Sequence, residues 1–332
     1  MSSLRNGTGI LGTGSYLPRK ELTNDEIAER FDVTEEWILR KTRIRSRRYA
    51  SPSEAVSDLA VKAGRQALRA AGITADQIDY LIVTTGTGDH PFPPTSCLVQ
   101  AMLGAERAAC FDVNIGCSGF VYGVAIARGL STFKPDAYSL VISADLYSRF
   151  VDPDDLGVVV LLADGAGAAV LGPVAESAGI LDVELRGRGD RSELLKIEAG
   201  GSRRPASLST LAEGGHYLRM MGREVTSFVM ETVPGSVSVL LDRAGVDPSD
   251  VDHFVPHQAN GVILERLADL LELKKAQIHR TIERYGNMGS ASLAVTLDEA
   301  NRAGHLHDGD LVMLSGFGGG MALGNCLLRW AA

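Results

Sequence analysis

Residues 112–120 read DVNIGCSGF, and residues 285–290 read YGNMGS. Both place an asparagine two positions before a glycine, with a short side chain next: Cys117 in the first, Ser290 in the second. An offset of 173 residues carries one onto the other. The same offset takes Leu68-x-x-Ala71-Gly72-Ile73, with Ile78-Asp79, onto Leu241-x-x-Ala244-Gly245-Val246, with Val251-Asp252. It also takes the apolar run at Tyr138 onto the run at Leu311. Three blocks at one offset predict two similar halves, residues 1–173 and 174–332, packed about an approximate twofold axis. Corresponding loops of such a pair face each other, which brings Cys117 and the Asn287 loop to one central site.

Outward from these turns the pattern is α/β. Ser53 to Ala71 has the spacing of an amphipathic helix closed by Gly72. Asp79 to Thr85, Ala109 to Asn114 and Tyr138 to Ala144 are short apolar runs, as in buried strands. Cys117 to Ser131 is a small-residue helix. Val158 to Leu162 and Ala166 to Leu171 flank Ala163-Asp164-Gly165, which predicts a hairpin. The second half predicts helices at Arg223 to Ala244, Gly261 to Leu273 and from Ser290. Its strands are expected at Val251 to Pro256, Leu311 to Ser315 and Ala322 to Arg329.

Composition narrows the function. The 332 residues carry a net charge of −8, with 45% apolar and 22% charged residues, as in a soluble protein with a large core. The acidic balance argues against nucleic-acid binding. No run of 18 apolar residues predicts a membrane span, and the first 20 residues lack the pattern of a signal peptide. Four cysteines without a CxxC pair disfavour disulfides and zinc, and fit a reducing cytoplasm. No GxGxxG follows a first strand, and Gly318-Gly319-Gly320 lacks the lysine of a phosphate loop, so nucleotide-cofactor motifs are missing.

Cys117 lies where a strand turns into a helix. There free N–H groups and the helix dipole are expected to lower a thiol's pKa. The alternative is a buried structural cysteine, the reading given to Cys97, Cys110 and Cys326. His257, in FVPHQAN, follows a strand at its C-terminal edge, where α/β sheets bind ligands. His305 and His307 read as solvated. Asn287 is either a turn residue or, by the offset, a partner of the Cys117 turn. The three glycines 318–320 form a plain turn or present a backbone N–H to an oxyanion. Arg40, Lys41, Arg43, Arg45, Arg47 and Arg48 follow Trp37 closely. They are either a solvated loop or a phosphate site with Trp37 stacking on a base.

The triple Cys117, His257 and Asn287 resembles the site of the β-ketoacyl-acyl-carrier-protein synthase III family. The resemblance spans essentially the whole chain. It includes EWILRKTRIRSRR (36–48), LADGAGAAV (162–170), GGSRRPA (200–206), MGREV (221–225), VPHQAN (255–260) and GFGGG (316–320). It implies an α/β thiolase fold, two similar βαβαβ-type halves in a five-layered α-β-α-β-α arrangement. It implies a homodimer using coenzyme A thioesters as substrates, with no cofactor or metal. The implied reaction takes an acyl group from acyl-CoA onto Cys117. Decarboxylative condensation with a malonyl thioester follows, on acyl carrier protein or coenzyme A, in fatty-acid or specialised polyketide-type biosynthesis. By the same resemblance Cys117 and Gly319 form the oxyanion hole. Trp37, Lys41, Thr42 and position 156 contact the coenzyme A head. Arg223, Ala259, Asn260 and Phe317 line the pantetheine tunnel. Leu162 and, across the dimer interface, Phe92 shape the acyl pocket.

Some positions depart from the family pattern. Leu156 stands for an arginine, Val262 and Asp269 for basic residues that dock the carrier, Arg43 for glycine and Leu323 for tryptophan. Two competing functions remain open: acyl transfer to a hydroxyl or amine without condensation, and acyl-CoA binding without catalysis.

Overall fold

The computed structural model describes residues 7–331; the first six residues, part of the stretch read for a signal peptide, lie outside them, as does Ala332. Two five-stranded sheets dominate. The first runs in the order Gly7–Tyr16, Asp164–Val174, Tyr138–Leu146, Ile78–Thr84, Ala109–Val113. The second runs Gly179–Gly187, Ala322–Arg329, Leu311–Gly318, His253–Pro256, Gln277–Ile278. Taken by position in their halves, the two orders are identical. In each sheet the last three strands pair in parallel, and the second strand pairs antiparallel with both of its neighbours, so it alone runs against the other four.

Two helices lie between the sheets. Phe120, Val121 and Val124 of Gly119–Ser131 and Leu293, Ala294 and Leu297 of Ala291–Arg302 share one core. It takes in Ile82 and Val141 of the first sheet and Val255, Val312 and Leu314 of the second. Outside, Leu59, Ala63 and Ala67 of the helix Val56–Ala71 cover the first sheet. Phe228, Val233, Val237 and Leu240 of Gly222–Ala244 cover the second. Burying each such Leu, Val or Phe side chain stabilises by about 1.5–3 kcal/mol. The result is five layers, α-β-α-β-α, as the resemblance implied. The outer helices end on equivalent left-handed glycines, Gly72 (φ 67°) and Gly245 (φ 65°). Among the described residues no helix is long and apolar enough to cross a membrane.

The expected hairpin over 163–165 is absent. Asp164–Val174 is one strand of 11 residues, preceded by the short helix Leu156–Val159. Asp-Gly reads as a turn, but Asp164 is buried and its carboxylate accepts Ala50 N–H (2.8 Å), Ser148 N–H (2.8 Å) and Ser148 Oγ (2.5 Å). Gly165 and Gly167 serve close packing rather than a turn. A Cβ there would lie 2.5 Å from Met288 Sδ or 2.6 Å from Ala294 Cβ. The first strand of each sheet, Gly7–Tyr16 and Gly179–Gly187, went unread in the sequence; neither is a continuous apolar run. The strand expected at Leu311 to Ser315 continues to Gly318, which carries its end up to Cys117.

Candidate active site

The strand Ala109–Val113 passes through Asn114 and Ile115 to Gly116, whose φ of 57° turns the chain. A single 3-10 turn, Gly116–Ser118, then leads into the helix Gly119–Ser131. Cys117 sits in that turn, 8% exposed. The backbone N–H groups of Gly319 and of Cys117 itself lie near its sulfur and favour the thiolate. A Cβ at Gly318 would stand 2.9 Å from Sγ, so only glycine leaves the sulfur room. Burial nonetheless pushes the thiol up to about 11, outweighing both N–H groups; the charge of Asp145 adds in the same direction. The lowered pKa expected from the helix terminus is therefore corrected. The resting group is a thiol, because burial outweighs the local turn.

His257 follows the strand His253–Pro256 and is tied by its backbone N–H to Ser315 O (2.7 Å). It is 1% exposed and meets the edge of Phe317 at 5.5 Å between ring centroids. Its Nδ1 has no hydrogen-bond partner among the described residues. Burial pulls its pKa down to about 3, so the imidazole is neutral at physiological pH. Gln258 locks the chain beyond it, accepting Thr281 N–H (2.9 Å) and Ile282 N–H (3.1 Å) and donating to Pro256 O (2.8 Å).

Asn287 is pinned through its backbone. Its N–H donates to Leu161 O (2.8 Å) and its carbonyl accepts Ala163 N–H (2.8 Å). Its Oδ1 accepts Gly289 N–H (2.9 Å), which fixes the sense of the amide, since that neighbour is a donor. The NH2 group is left as the reactive face, with one hydrogen toward Ala259 O (3.3 Å).

These three side chains line one cavity of about 260 Å³, together with Leu162, Ala259, Asn260 and Phe317. Its apolar wall of Leu161, Leu195, Met220, Val225, Val229 and Ile263 was not singled out from the sequence. Those residues come from four separate segments, each ordinary by itself. Asn260 also caps the helix Gly261–Leu270 through Val262 N–H (2.8 Å) and donates to Lys41 O (3.2 Å). An adjoining cleft of about 580 Å³ shares Gly222 and Thr226 with the cavity and carries Lys41, Arg223 and Arg266. Arg266 had escaped notice among helix residues. Gly319 is buried, its N–H near the sulfur. Trp37 and Leu156 are half-buried in one apolar cluster, outside the cavity. Phe92, 85% exposed, also lies outside it.

Two expectations fail. Thr42 is 2% exposed, with Oγ1 donating to Ile38 O (2.8 Å) and accepting Ile44 N–H (3.0 Å), so it closes a helix end and is not available to a ligand. The six-residue basic stretch is not one phosphate patch either. Arg47 is fully buried, donates to Val160 O and Asn24 Oδ1, and is lowered to about 10 by burial. Arg43 pairs with Glu265 (2.9 Å), Arg45 with Glu283 (2.5 Å) and Arg48 with Glu21 (3.3 Å). Arg40 and Lys41 remain exposed.

The chain is similar to known proteins over nearly its whole length. Residues 111–189 match the family model for 3-oxoacyl-[acyl-carrier-protein] synthase III, and residues 241–330 match the model for its C-terminal part. An acetoacetyl CoA synthase of Streptomyces sp. (strain CL190) is 48% identical, covering 97% of this chain and 98% of its own. A β-ketoacyl-[acyl-carrier-protein] synthase III of Caldanaerobacter subterraneus subsp. tengcongensis is 42% identical over the same shares. The crystal structure of 3-oxoacyl-[acyl-carrier-protein] synthase III from Aquifex aeolicus superposes with a TM-score of 0.88 at 36% identity, covering 98% of this chain and all of that one. A priming β-ketosynthase of a polyketide biosynthetic pathway superposes with a TM-score of 0.91 at 33% identity, covering 99% and 98%.

Proposed function

The chain belongs to the 3-oxoacyl-[acyl-carrier-protein] synthase III family of thiolase-fold condensing enzymes, and on that premise we propose that it joins an acyl group, held on Cys117, to malonyl-CoA with loss of carbon dioxide. With an acetyl group the product is acetoacetyl-CoA. The observation that carries the reading is the single cavity uniting Cys117, two N–H groups at its sulfur, neutral His257 and the oriented Asn287 amide.

Cys117 sulfur attacks the acyl-CoA carbonyl, and its proton is passed on to the departing coenzyme A sulfur. The N–H groups of Cys117 and Gly319 hold the oxygen of the tetrahedral intermediate. Collapse expels coenzyme A, which takes a proton, and leaves a thioester on Cys117. The malonyl thioester then enters. As its carboxylate departs, charge gathers on the thioester oxygen, where an imidazole N–H of His257 and the Asn287 NH2 donate hydrogen bonds. An amide neither gains nor loses a proton near pH 7, so Asn287 acts as a donor. The enolate carbon attacks the Cys117 thioester, the carbon–sulfur bond breaks, and the thiolate takes a proton from water. Atoms and electrons balance without a cofactor or metal.

Coenzyme A as the acceptor's carrier is supported by the 48%-identical acetoacetyl CoA synthase, and by Val262 and exposed Asp269, which depart from the basic residues that the family resemblance implies there. The proposal includes a homodimer in the cytoplasm. The exposed Phe92 would be covered at the interface, and the free cysteines suit a reducing compartment. Intact-protein mass measurement with a panel of acyl-CoAs, followed by malonyl-CoA or malonyl carrier protein, tests the reading. Expected are an adduct on Cys117 and consumption of malonyl-CoA. No adduct with any donor means binding without catalysis. An adduct that never consumes malonyl thioester means transfer to another acceptor. A sedimentation mass of one chain overturns the dimer.

A further inference from the structure

Asp145 is a fully buried carboxylate that the condensation steps above do not use. It stands near the end of the strand Tyr138–Leu146, at the seam between the halves. Three donors come from its own half: Gly86 N–H (2.8 Å), Thr87 Oγ1 (3.0 Å) and Thr85 Oγ1 (3.2 Å), all on Oδ1. Two come from the other half, both on Oδ2: Ser290 N–H (2.8 Å) and Ser290 Oγ (2.7 Å). No lysine or arginine pairs with it among the described residues. Burial raises its pKa above the ordinary carboxylate range, the five hydrogen bonds opposing that shift only in part, and breaking any of them leaves a costly polar group.

Ser290 ends the segment that begins with Asn287. One end of that segment is held by Leu161 and Ala163, as described above. Between the ends, Met288 is fully buried, and a Cβ at Gly289 would lie 2.6 Å from Asp145 Oδ2 and 2.2 Å from the Tyr147 ring. Asp145 is therefore the second anchor of a four-residue segment whose first residue carries the amide. We propose that Asp145 is the positioning residue for Asn287, clamping Ser290 across the seam so that the amide meets the thioester oxygen during decarboxylation.

This inference rests on the condensing function proposed above. It makes the two half-reactions respond differently. Acylation needs Cys117 and its two N–H groups but not Asn287, whereas condensation needs the amide in place. Asp145 also weighs, after burial itself, on the side of the protonated Cys117 thiol, so replacing it does not handicap acylation.

The test uses the full chain and the variants Asp145→Asn and Ser290→Ala, with melting curves to confirm folding. Acylation is read as the rate of mass gain on Cys117 from acetyl-CoA, and condensation as kcat and KM for malonyl-CoA. Asp145→Asn is expected to acylate at least as fast as wild type and to lose about 100-fold in condensation kcat, the scale of a misplaced group. Ser290→Ala keeps its N–H and should lose about 10-fold, again in kcat and not in acylation. Condensation unchanged in both variants, or both half-reactions falling together, overturns the positioning role while leaving the function intact. Should Asp145→Asn fail to fold, Ser290→Ala decides by the same split. A wild-type enzyme that acylates but leaves malonyl-CoA untouched overturns the function, and this inference with it.

Discussion

The Cys117 turn and the Ser290 turn share a backbone but not a chemistry. Gly116 and Gly289 have φ of 57° and 58°, and each precedes a helix of the central layer. The 173-residue offset that aligns them also carries Thr84 onto His257, Asn114 onto Asn287 and Asp145 onto Gly318. Over Cys117 the opposite half places a glycine, with Gly319 N–H near the sulfur. Over Ser290 it places a carboxylate that takes both the N–H and the hydroxyl. One copy is left open to a reacting carbonyl. The other is tied shut, and its closure braces the first. Reactivity is thus decided less by the turn than by what the other half sets above it.

The largest expected effect comes from giving the open copy some of the closed copy's bulk. Gly318→Ala puts a Cβ 2.9 Å from Sγ, at a φ of 149° that side chains rarely adopt. Displacing the sulfur relative to the N–H groups that receive the carbonyl oxygen should slow acylation by about 10²–10³-fold, the cost of a lost oxyanion donor. Stopped acylation time courses check this; a rate within threefold of wild type breaks the comparison at its centre. Next, Asn287→Ala should leave acylation intact and lower condensation by about 10²-fold, since it removes a donor to developing charge. Equal loss in both half-reactions would mean that Asn287 shapes the cavity rather than the chemistry.

The open copy should also be the one that answers to alkali. Its thiol is raised in the folded state to about 11, above the ordinary value of 9.0. A group raised on folding stabilises below its unfolded pKa, and that contribution disappears as pH climbs through the folded value. Wild-type stability should therefore decline between pH 9 and 11 by up to about 2–3 kcal/mol, at 1.36 kcal/mol per unit. Cys117→Ala should lessen this decline in denaturant melts without abolishing it, since burial also pushes Cys326 up to about 12, whereas Ser290→Ala should leave it unchanged. His257 has the opposite sense: depressed from 6.5 to about 3, it stabilises above pH 6.5 and loses that contribution as pH falls.

Most of the architecture was legible because the repeat is written in glycines and apolar runs, which depend on local conformation and burial. The offset alone brought Cys117 and the Asn287 loop together, and His257 joined them through its place at the C-terminal edge of a strand and through the family resemblance. What could not be read depends on contacts made across the halves. The Cys117 thiol looked activated because the helix terminus is local, while the enclosure that raises it includes Gly318, some 200 residues away. Asp164-Gly165 looked like a turn because its hydrogen-bond partners, Ala50 and Ser148, lie elsewhere. Thr42 and Arg47 looked like ligand contacts because exposure is not written in a basic stretch.

The smallest expected effect is the most direct test of the asymmetry. Asn114 is the counterpart of Asn287, yet it is exposed at the end of an edge strand, whereas Asn287 is 8% exposed at the cavity wall. No hydrogen bond of its side chain orients it among the described residues, and it borders no cavity that contains Cys117. Asn114→Ala should therefore change acylation and condensation by less than about twofold, with melting temperature also nearly unmoved, as for exposed substitutions. Measured beside Asn287→Ala in the same two assays, it isolates position in the fold from residue type. A tenfold loss would show that the second copy takes part in the reaction, and that the two turns divide the chemistry rather than one bracing the other.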